Sequence, residues 1–178
     1  MKTNCENEII ERVKQGHRGD FEHLVRRYQG PLFRIVGNLV DPGMVEDLVQ
    51  DIFLTAFTKI GDYDPRRGTF RSWIYTIARN RALNARKKKR EQLLEENFVV
   101  ADKRTPSHDL LVKEAFARMD RALRELRFQD RVIFVLAELE GLSYAEIAHI
   151  EKLALGTVKS RLARVKTKLR GALAAYMN

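Results

Sequence analysis

The chain has 178 residues, of which 44% are hydrophobic and 32% are charged, a composition that suits one domain or two small ones with packed cores. No apolar run approaches the roughly 18 residues that a membrane span requires, and the polar, acidic N-terminus offers no segment for a signal peptide. The single Cys5 excludes an internal disulfide and a cysteine-based zinc cage. We therefore expect a cytoplasmic protein without membrane insertion.

The net charge of +9 is unevenly distributed along the chain. Ten basic residues and no acidic one lie between Arg66 and Arg90, and seven basic residues and no acidic one lie between Lys152 and Arg170. Because these two segments carry +17, the rest of the chain carries −8. Two separate basic segments on an acidic background indicate a nucleic-acid partner.

Apolar residues recur mainly at three- and four-residue steps, and glycine and proline are sparse, so the predicted fold class is all-α. Residues 93–110 combine mixed charge with Pro106 and little periodicity, which is typical of a linker. We predict two small helical domains, residues 1–92 and 111–178, joined by a flexible linker over residues 93–110.

The first helix with a candidate surface is predicted from Val45 to Ile60, and Asp41 followed by Pro42 is typical of a helix start. Its outer face is acidic and consists of Glu46, Asp47, Gln50 and Asp51, with Leu54 among them. An acidic face on a basic protein is unsuited to DNA. Ordinary solvated surface and a docking face for a basic protein partner both fit this chemistry.

The next predicted helix runs from Thr69 to Arg86, with a buried stripe that includes Phe70, Ile74 and Ala78. Its other face combines aromatic, arginine and asparagine side chains, namely Ser72, Tyr75, Thr76, Arg79, Leu83 and Arg86, with Trp73 and Asn80 at one edge. Rings that stack on bases and cations that follow phosphates suit single-stranded nucleic acid. The alternative is that Trp73 and Tyr75 are core or boundary aromatics.

In the C-terminal domain, Ser143 and Glu146 form a capping box that predicts a helix start. The next helix, from Gly156, has one narrow apolar stripe at Val158, Leu162, Val165 and Leu169. Small or polar residues face away from that stripe, at Ser160, Ala163, Arg164 and Thr167, with basic residues on both sides. This is the pattern of a helix-turn-helix recognition helix in a major groove, and a basic surface helix is the alternative.

Three segments resemble bacterial sigma factors of the extracytoplasmic-function type, group IV of the sigma-70 family. Val45–Phe53 resembles their region 2.2, and Phe70–Asn80 resembles their regions 2.3 and 2.4. Leu139–Tyr144 through Gly156–Leu162 resembles region 4.2. The segments occur in the family's order, and the two domains together cover most of the chain.

The resemblance implies a sigma-2 and a sigma-4 domain, the latter with a helix-turn-helix, and a protein that binds core RNA polymerase and directs it to promoters. It implies polymerase docking by Glu46, Asp47, Gln50, Asp51 and Leu54. It implies recognition of melted minus-ten DNA by Asp62, Arg71, Ser72, Trp73, Tyr75, Thr76, Arg79, Asn80 and Arg86. It implies recognition of duplex minus-thirty-five DNA by Thr157, Lys159, Ser160, Arg161, Arg164 and Lys166.

On this interpretation one non-template base is extruded from the duplex, at a cost of a few kcal/mol. The polar face of the Thr69–Arg86 helix and the Gly61–Asp64 loop capture the exposed bases, which stabilises the open DNA. Melting then needs neither nucleotide hydrolysis nor a catalytic residue of this chain.

The sequence departs from the family's pattern at the helix-turn-helix turn. Glu151, Lys152 and Ala154 occupy positions that typically hold an apolar residue, glycine and proline. A non-glycine residue in a left-handed turn costs about 1 kcal/mol. We therefore expect a reshaped turn and an altered angle of the recognition helix.

An enzyme is not expected, because the four histidines are scattered and no metal-ligand cluster, phosphate loop or nucleophile motif is present; we expect no cofactor and no metal. The alternative function is a two-domain helix-turn-helix regulator that binds duplex operator without core polymerase. It would need neither the acidic helix nor the aromatic–arginine helix. Since members of the family are often held by anti-sigma proteins, an anti-sigma protein is a further candidate partner.

Overall fold

The computed structural model describes residues 2–96 and 118–173. Within these ranges the chain forms helices and no strand, as predicted for an all-α protein. The helices are α1 (Lys2–Lys14), α2 (Phe21–Leu39), α3 (Val45–Thr58), α4 (Phe70–Glu96), α5 (residues 118–124), α6 (Phe128–Phe134), α7 (Tyr144–Glu151) and α8 (Leu155–Leu173). A π-helical turn, Val135–Leu139, continues α6.

Two helix boundaries differ from those expected. A 3₁₀ turn, Pro42–Met44, follows Asp41, and α3 begins after it at Val45. At its other end, α4 continues to Glu96 and so enters the predicted linker, because residues 91–96 are strong helix formers. The remainder of the predicted linker, residues 97–110, lies outside the described residues.

In the N-terminal half, residues 2–96, helices α1 to α4 enclose an aromatic-rich core. The Phe70 ring packs edge-on against Tyr28 and Tyr63, each at a centroid distance of 5.4 Å. Trp73 lies against Phe70 at 5.4 Å and against Tyr63 at 5.7 Å, which makes Trp73 a boundary aromatic. These ring contacts fix the orientation of α4 on the core.

In the C-terminal half, residues 118–173, the local signals of the sequence are confirmed. Ser143 and Glu146 form both hydrogen bonds of the capping box at the start of α7. The predicted stripe of α8 is buried along its whole length, at Val158, Leu162, Val165 and Leu169. Between these helices Lys152 adopts the left-handed conformation itself, with φ 54° and ψ 48°. The turn therefore keeps the backbone geometry that a glycine would give, and the expectation of a reshaped turn is wrong at this position.

The two halves pack against each other through α4 with α7 and α2 with α6. One continuous buried cluster contains Ile74 and Ala78 from the N-terminal half and Val132 and Ile147 from the C-terminal half. We call this packing the closed arrangement. It decides which of the predicted surfaces solvent can reach.

No helix in the described ranges is both long and apolar enough to cross a membrane. Among the same residues, no three His, Cys, Asp or Glu side chains are grouped so as to hold a metal ion.

Candidate nucleic-acid interface

The acidic docking face comprises the five predicted docking residues on α3. Glu46, Asp47, Gln50 and Asp51 are all exposed, and Leu54 is 62% exposed. The first two lie in the first turn of α3, where the helix dipole favours negative charge. None of the three carboxylates forms an ion pair with a described residue. Helix α3 thus presents a fixed acidic surface with an apolar side chain in it.

The minus-ten face comprises the nine predicted residues on α4 and the loop before it, and it is mostly turned toward the C-terminal half. Asp62, Asn80 and Arg86 are exposed, whereas Arg71, Trp73, Thr76 and Arg79 are partly buried. Ser72 and Tyr75, expected on the outward side, are instead buried, at 4% and 2% exposure. The Tyr75 ring packs edge-on against Tyr28 at 6.3 Å, so the core-aromatic alternative holds for it.

The strongest contact to the minus-ten face is the ion pair between Arg79 and Glu151. The Arg79 Nε and Nη2 atoms donate to the two Glu151 carboxylate oxygens at 2.9 and 3.3 Å. The side chains are 16% and 0% exposed, respectively. Two parallel hydrogen bonds of this kind stabilise a buried carboxylate that would otherwise be costly.

Glu146 makes a second contact to the minus-ten face. Its Oε1 lies 3.3 Å from Arg71 Nη2 and accepts a hydrogen bond from the Ser72 hydroxyl at 3.4 Å. Burial acts to raise the pKa of Glu146, but hydrogen bonds from Ser143 and Arg71 outweigh it and hold the pKa below its usual value. The ionised form of Glu146 is therefore stabilised in the closed arrangement.

Glu140 makes the third contact. Arg34 of α2 donates to its two oxygens at 2.9 and 3.3 Å, and the Tyr75 hydroxyl donates to Oε2 at 3.2 Å. Burial, with the charge and hydrogen bond of Glu140, raises the pKa of Tyr75. We call Glu140, Glu146 and Glu151 the acid triad. The carboxylates of the acid triad contact side chains that are predicted to bind melted DNA.

The minus-thirty-five face comprises the six predicted residues of α8, of which Lys159, Ser160 and Arg164 are exposed. The other cations are engaged within their own half. Arg161 Nη1 donates to Gln129 Oε1 at 2.8 Å, and Lys166 pairs with Glu138 at 2.8 Å. The Thr157 backbone N–H donates to the Ala154 carbonyl at 2.9 Å, inside the first turn of the helix.

Comparison with known proteins decides the family. The family models "Sigma-70 region 2" and "Sigma-70, region 4" match residues 24–92 and 116–169. The ECF RNA polymerase sigma-E factor of Haemophilus influenzae is 32% identical, and the match covers 95% of each chain. This chain belongs to the extracytoplasmic-function sigma factors. These proteins are transcription initiation factors that act with core RNA polymerase.

Further relatives match this sigma factor over most of its length. The sigma-E factor of Escherichia coli K12 is 33% identical over 89% of this chain and 88% of the relative. The sigma-H factor of Pseudomonas aeruginosa is 29% identical over 94% and 93% of the two chains. The identification thus rests on both halves together.

Two solved sigma factors share the fold. CnrH in complex with the cytosolic domain of CnrY matches with a TM-score of 0.72 and 25% identity, over 94% of this chain and 96% of CnrH. RpoE of Bartonella quintana, in complex with the anti-sigma factor NepR, also gives a TM-score of 0.72 and 25% identity, over 88% and 98%.

Sequence reasoning missed the acid triad of this sigma factor as a unit. Glu146 was expected only as a helix cap, and Arg34 and Glu140 carried no local signal. Glu151 gave the one usable indication, because a carboxylate at a position where the family has an apolar residue needs a buried partner. The identity of that partner, Arg79, depends on the packing of the two halves.

Proposed function

We propose that this sigma factor docks on core RNA polymerase through α3, reads minus-thirty-five DNA with α8 and captures melted minus-ten DNA with α4. The observation that carries the docking step is the acidic docking face, whose three carboxylates are exposed and without ion-pair partners among the described residues. Such a surface is complementary to a basic protein partner and repels DNA.

For the duplex, α8 supplies a small outward surface. Ser160 and Ala163 have short exposed side chains beside Arg164, so the helix backbone can approach the base edges closely. The exposed cations at its flanks would contact the phosphates and set the register. Arg164 and Lys159 are the side chains long enough to form paired hydrogen bonds with a base.

For the melted strand, α4 supplies stacking and charge. Trp73 lies at the edge of the aromatic core, and Asn80, seven residues further on, lies along the same edge of α4. Arg71 and Arg79 supply the charge. A base extruded from the duplex costs a few kcal/mol, and stacking on an aromatic ring recovers about 1–3 kcal/mol per base. The open DNA is thus stabilised by binding alone.

The closed arrangement and DNA binding at α4 exclude each other. A phosphate and the Glu151 carboxylate cannot both occupy the donors of Arg79, which point at Glu151 at 2.9 and 3.3 Å. We infer that the halves separate when polymerase and promoter bind. When a DNA phosphate replaces the Glu151 carboxylate, Arg79 keeps an anionic partner. Separation of the halves therefore does not leave a buried charge unpaired.

The solved relatives point to a regulatory partner. CnrH is bound to the cytosolic domain of CnrY, and RpoE is bound to the anti-sigma factor NepR. We infer that this chain also binds an anti-sigma protein.

Reconstituted transcription tests the proposal. The purified chain with core polymerase is expected to give specific transcripts from a library of genomic promoter fragments, and core polymerase alone is not. Tight binding to a duplex operator without association with core polymerase would contradict the proposal. That result would favour the two-domain helix-turn-helix regulator. The match of residues 24–92 to the sigma-70 region 2 family does not favour this alternative.

A further inference from the structure

The two halves enclose a cleft of about 380 Å³ beside the end of α2. One wall comes from α4 and the loop after α2, and the other comes from α5 and α6. Five basic side chains line the cleft, namely Arg86, Lys89, Arg90, Arg124 and Arg131. The volume lies in the range of small-molecule sites, about 300–1,000 Å³.

Arg131 is the buried member of this cluster, with 5% exposure. Its Nη2 atom donates to the backbone carbonyl of Arg124, while its Nε atom has no hydrogen-bond partner among the described residues. No described carboxylate pairs with it. Burial, together with the charges of Arg86 and Arg124, lowers the pKa of Arg131 to about 10. A buried donor without a partner is rare in folded proteins and calls for an acceptor.

The acidic residues at the cleft do not balance its charge. Asp41 is paired with Lys89 at 2.5 Å, and Asp120 is paired with Arg124 at 3.0 Å. Arg90 forms no ion pair with a described residue, and Arg86 lies over the Phe128 ring at 5.3 Å. Among the described residues, the lining of the cleft therefore carries a surplus of positive charge in a partly desolvated place, where charge repulsion is strong.

We propose that this cleft binds a small phosphate-bearing anion of the pyrophosphate class. Guanidinium groups match phosphate oxygens with paired hydrogen bonds, and a diphosphate would supply both the acceptor for Arg131 and the missing negative charge. A cleft of about 380 Å³ between two packed halves accommodates a small molecule and not a duplex.

Because each half supplies one wall, the anion binds the closed arrangement and stabilises it by linkage. In the closed arrangement the acid triad occupies four side chains of the minus-ten face, namely Arg71, Ser72, Tyr75 and Arg79. The anion would therefore oppose promoter binding, and this consequence, unlike the binding itself, rests on the proposed function.

Calorimetric titration of the full chain with sodium pyrophosphate tests the site. Arg90→Gln is expected to weaken binding by about tenfold, the usual loss for one charged hydrogen bond. Lys87→Gln is the matched control, since Lys87 is exposed on the same helix and outside the cleft. Absence of binding to the wild-type chain, or equal weakening by both variants, would overturn the proposal.

Two further variants test the charge argument from opposite sides. Asp41→Asn removes an acidic residue and releases Lys89, so it is expected to tighten pyrophosphate binding by about tenfold. Arg131→Gln is expected to abolish binding, with circular dichroism as the check on folding. If Arg131→Gln does not fold, the test rests on the opposite changes in pyrophosphate affinity expected for Arg90→Gln and Asp41→Asn. Unchanged affinity in both variants would overturn the proposal.

Competition distinguishes a free anion from a DNA phosphate. A short duplex oligonucleotide is expected to leave pyrophosphate bound, and displacement with the same sensitivity to Arg90→Gln would overturn the proposal in favour of a DNA backbone contact. These titrations contain no polymerase. Failed transcription with intact pyrophosphate binding would thus refute the proposed function alone, and the reverse result would refute the anion site alone.

Discussion

Glu151 shows how one residue takes its role from a distant contact. It ends α7 at the first position of the turn, and its side chain is fully buried. Both of its oxygens accept hydrogen bonds from Arg79, which is 72 residues away in the sequence. The ion pair with Arg79 stabilises the buried Glu151 carboxylate, whose ionised form would be costly in an apolar environment without a partner.

Substitution of Glu151 tests whether this pair holds the halves together. Glu151→Gln leaves Arg79 buried without a counter-charge, which costs about 3–5 kcal/mol. We expect a larger radius of gyration in small-angle scattering. The control is Glu138→Gln, which breaks a half-exposed pair with Lys166 inside one half and should cost less than about 1 kcal/mol. Unchanged scattering of both variants would show that Glu151 does not maintain the closed arrangement.

Arg164 is the exposed arginine in the middle of the minus-thirty-five face. If it reads a base, Arg164→Ala weakens holoenzyme binding to the preferred duplex by about 1–3 kcal/mol and relaxes specificity there. Fluorescence anisotropy with matched and scrambled duplexes measures both effects. Lys168→Ala, at an exposed flanking position of the same helix, should weaken all duplexes alike. An equal loss on every sequence for Arg164→Ala would make it a phosphate contact.

At the scale of single elements, the polar face of α3 remains uncovered. Its predicted apolar residues Leu48, Val49 and Ile52 are buried, and its acidic docking face is exposed. We expect Asp51→Lys to lower the affinity for core polymerase at least about tenfold, because the new charge repels a basic partner. Biolayer interferometry with immobilised core measures it. Glu8→Lys makes the same charge change at an exposed position of α1 and serves as the control. If Asp51→Lys lowers the affinity no more than Glu8→Lys does, the assignment is refuted.

The turn between α7 and α8 holds a lysine in a conformation that favours glycine, with φ 54° at Lys152. Lys152→Gly removes this strain and is expected to raise the free energy of unfolding by about 1 kcal/mol, as measured by urea denaturation. Lys59→Gly is the matched control, because Lys59 directly follows α3 with φ −105°, where glycine has no advantage. A stabilisation that is the same in both variants, or absent from Lys152→Gly, would contradict a strained turn.

Across the whole molecule, the closed arrangement redistributes the charge of the chain. Arg71 and Arg79 of the basic segment on α4 pair with the acid triad, so part of the acidic background neutralises part of the predicted DNA surface. The basic face of α8 stays exposed at Lys159, Ser160 and Arg164. In the closed arrangement α8 thus keeps Lys159 and Arg164 exposed, whereas on α4 the acid triad engages Arg71 and Arg79 and leaves the cations of residues 86–88 exposed.

Acid is expected to open the closed arrangement. The pKa of Glu146 lies below its usual value of 4.5 in the folded chain, so its ionised form stabilises the structure. The stabilisation from ionised Glu146 is complete when the pH lies above the usual pKa of 4.5, and it is lost as the pH falls below that value. We expect a constant radius of gyration near neutral pH and an increase below about pH 4.5. Glu146→Gln should reduce this dependence, and tighter packing in acid would contradict it.

The sequence by itself determined the features that arise from local spacing. The α8 stripe, the Ser143–Glu146 capping box and the polar face of α3 follow from helical periodicity and from hydrogen bonds within one turn. The linker assignment for residues 97–110 remains a prediction. Family resemblance added the roles of these surfaces, and the comparisons confirmed the family.

Only the tertiary structure decided which polar faces are covered. Three side-chain contacts that cover α4 join residues far apart in the sequence. Tyr75 and Glu140 are 65 residues apart, Arg71 and Glu146 are 75 apart, and Arg79 and Glu151 are 72 apart. Helical periodicity identifies a polar face, but it carries no information about the element that packs on it. The covering of α4 depends on the summed apolar and ionic contacts between two separate halves, and those contacts exist only once both halves have folded.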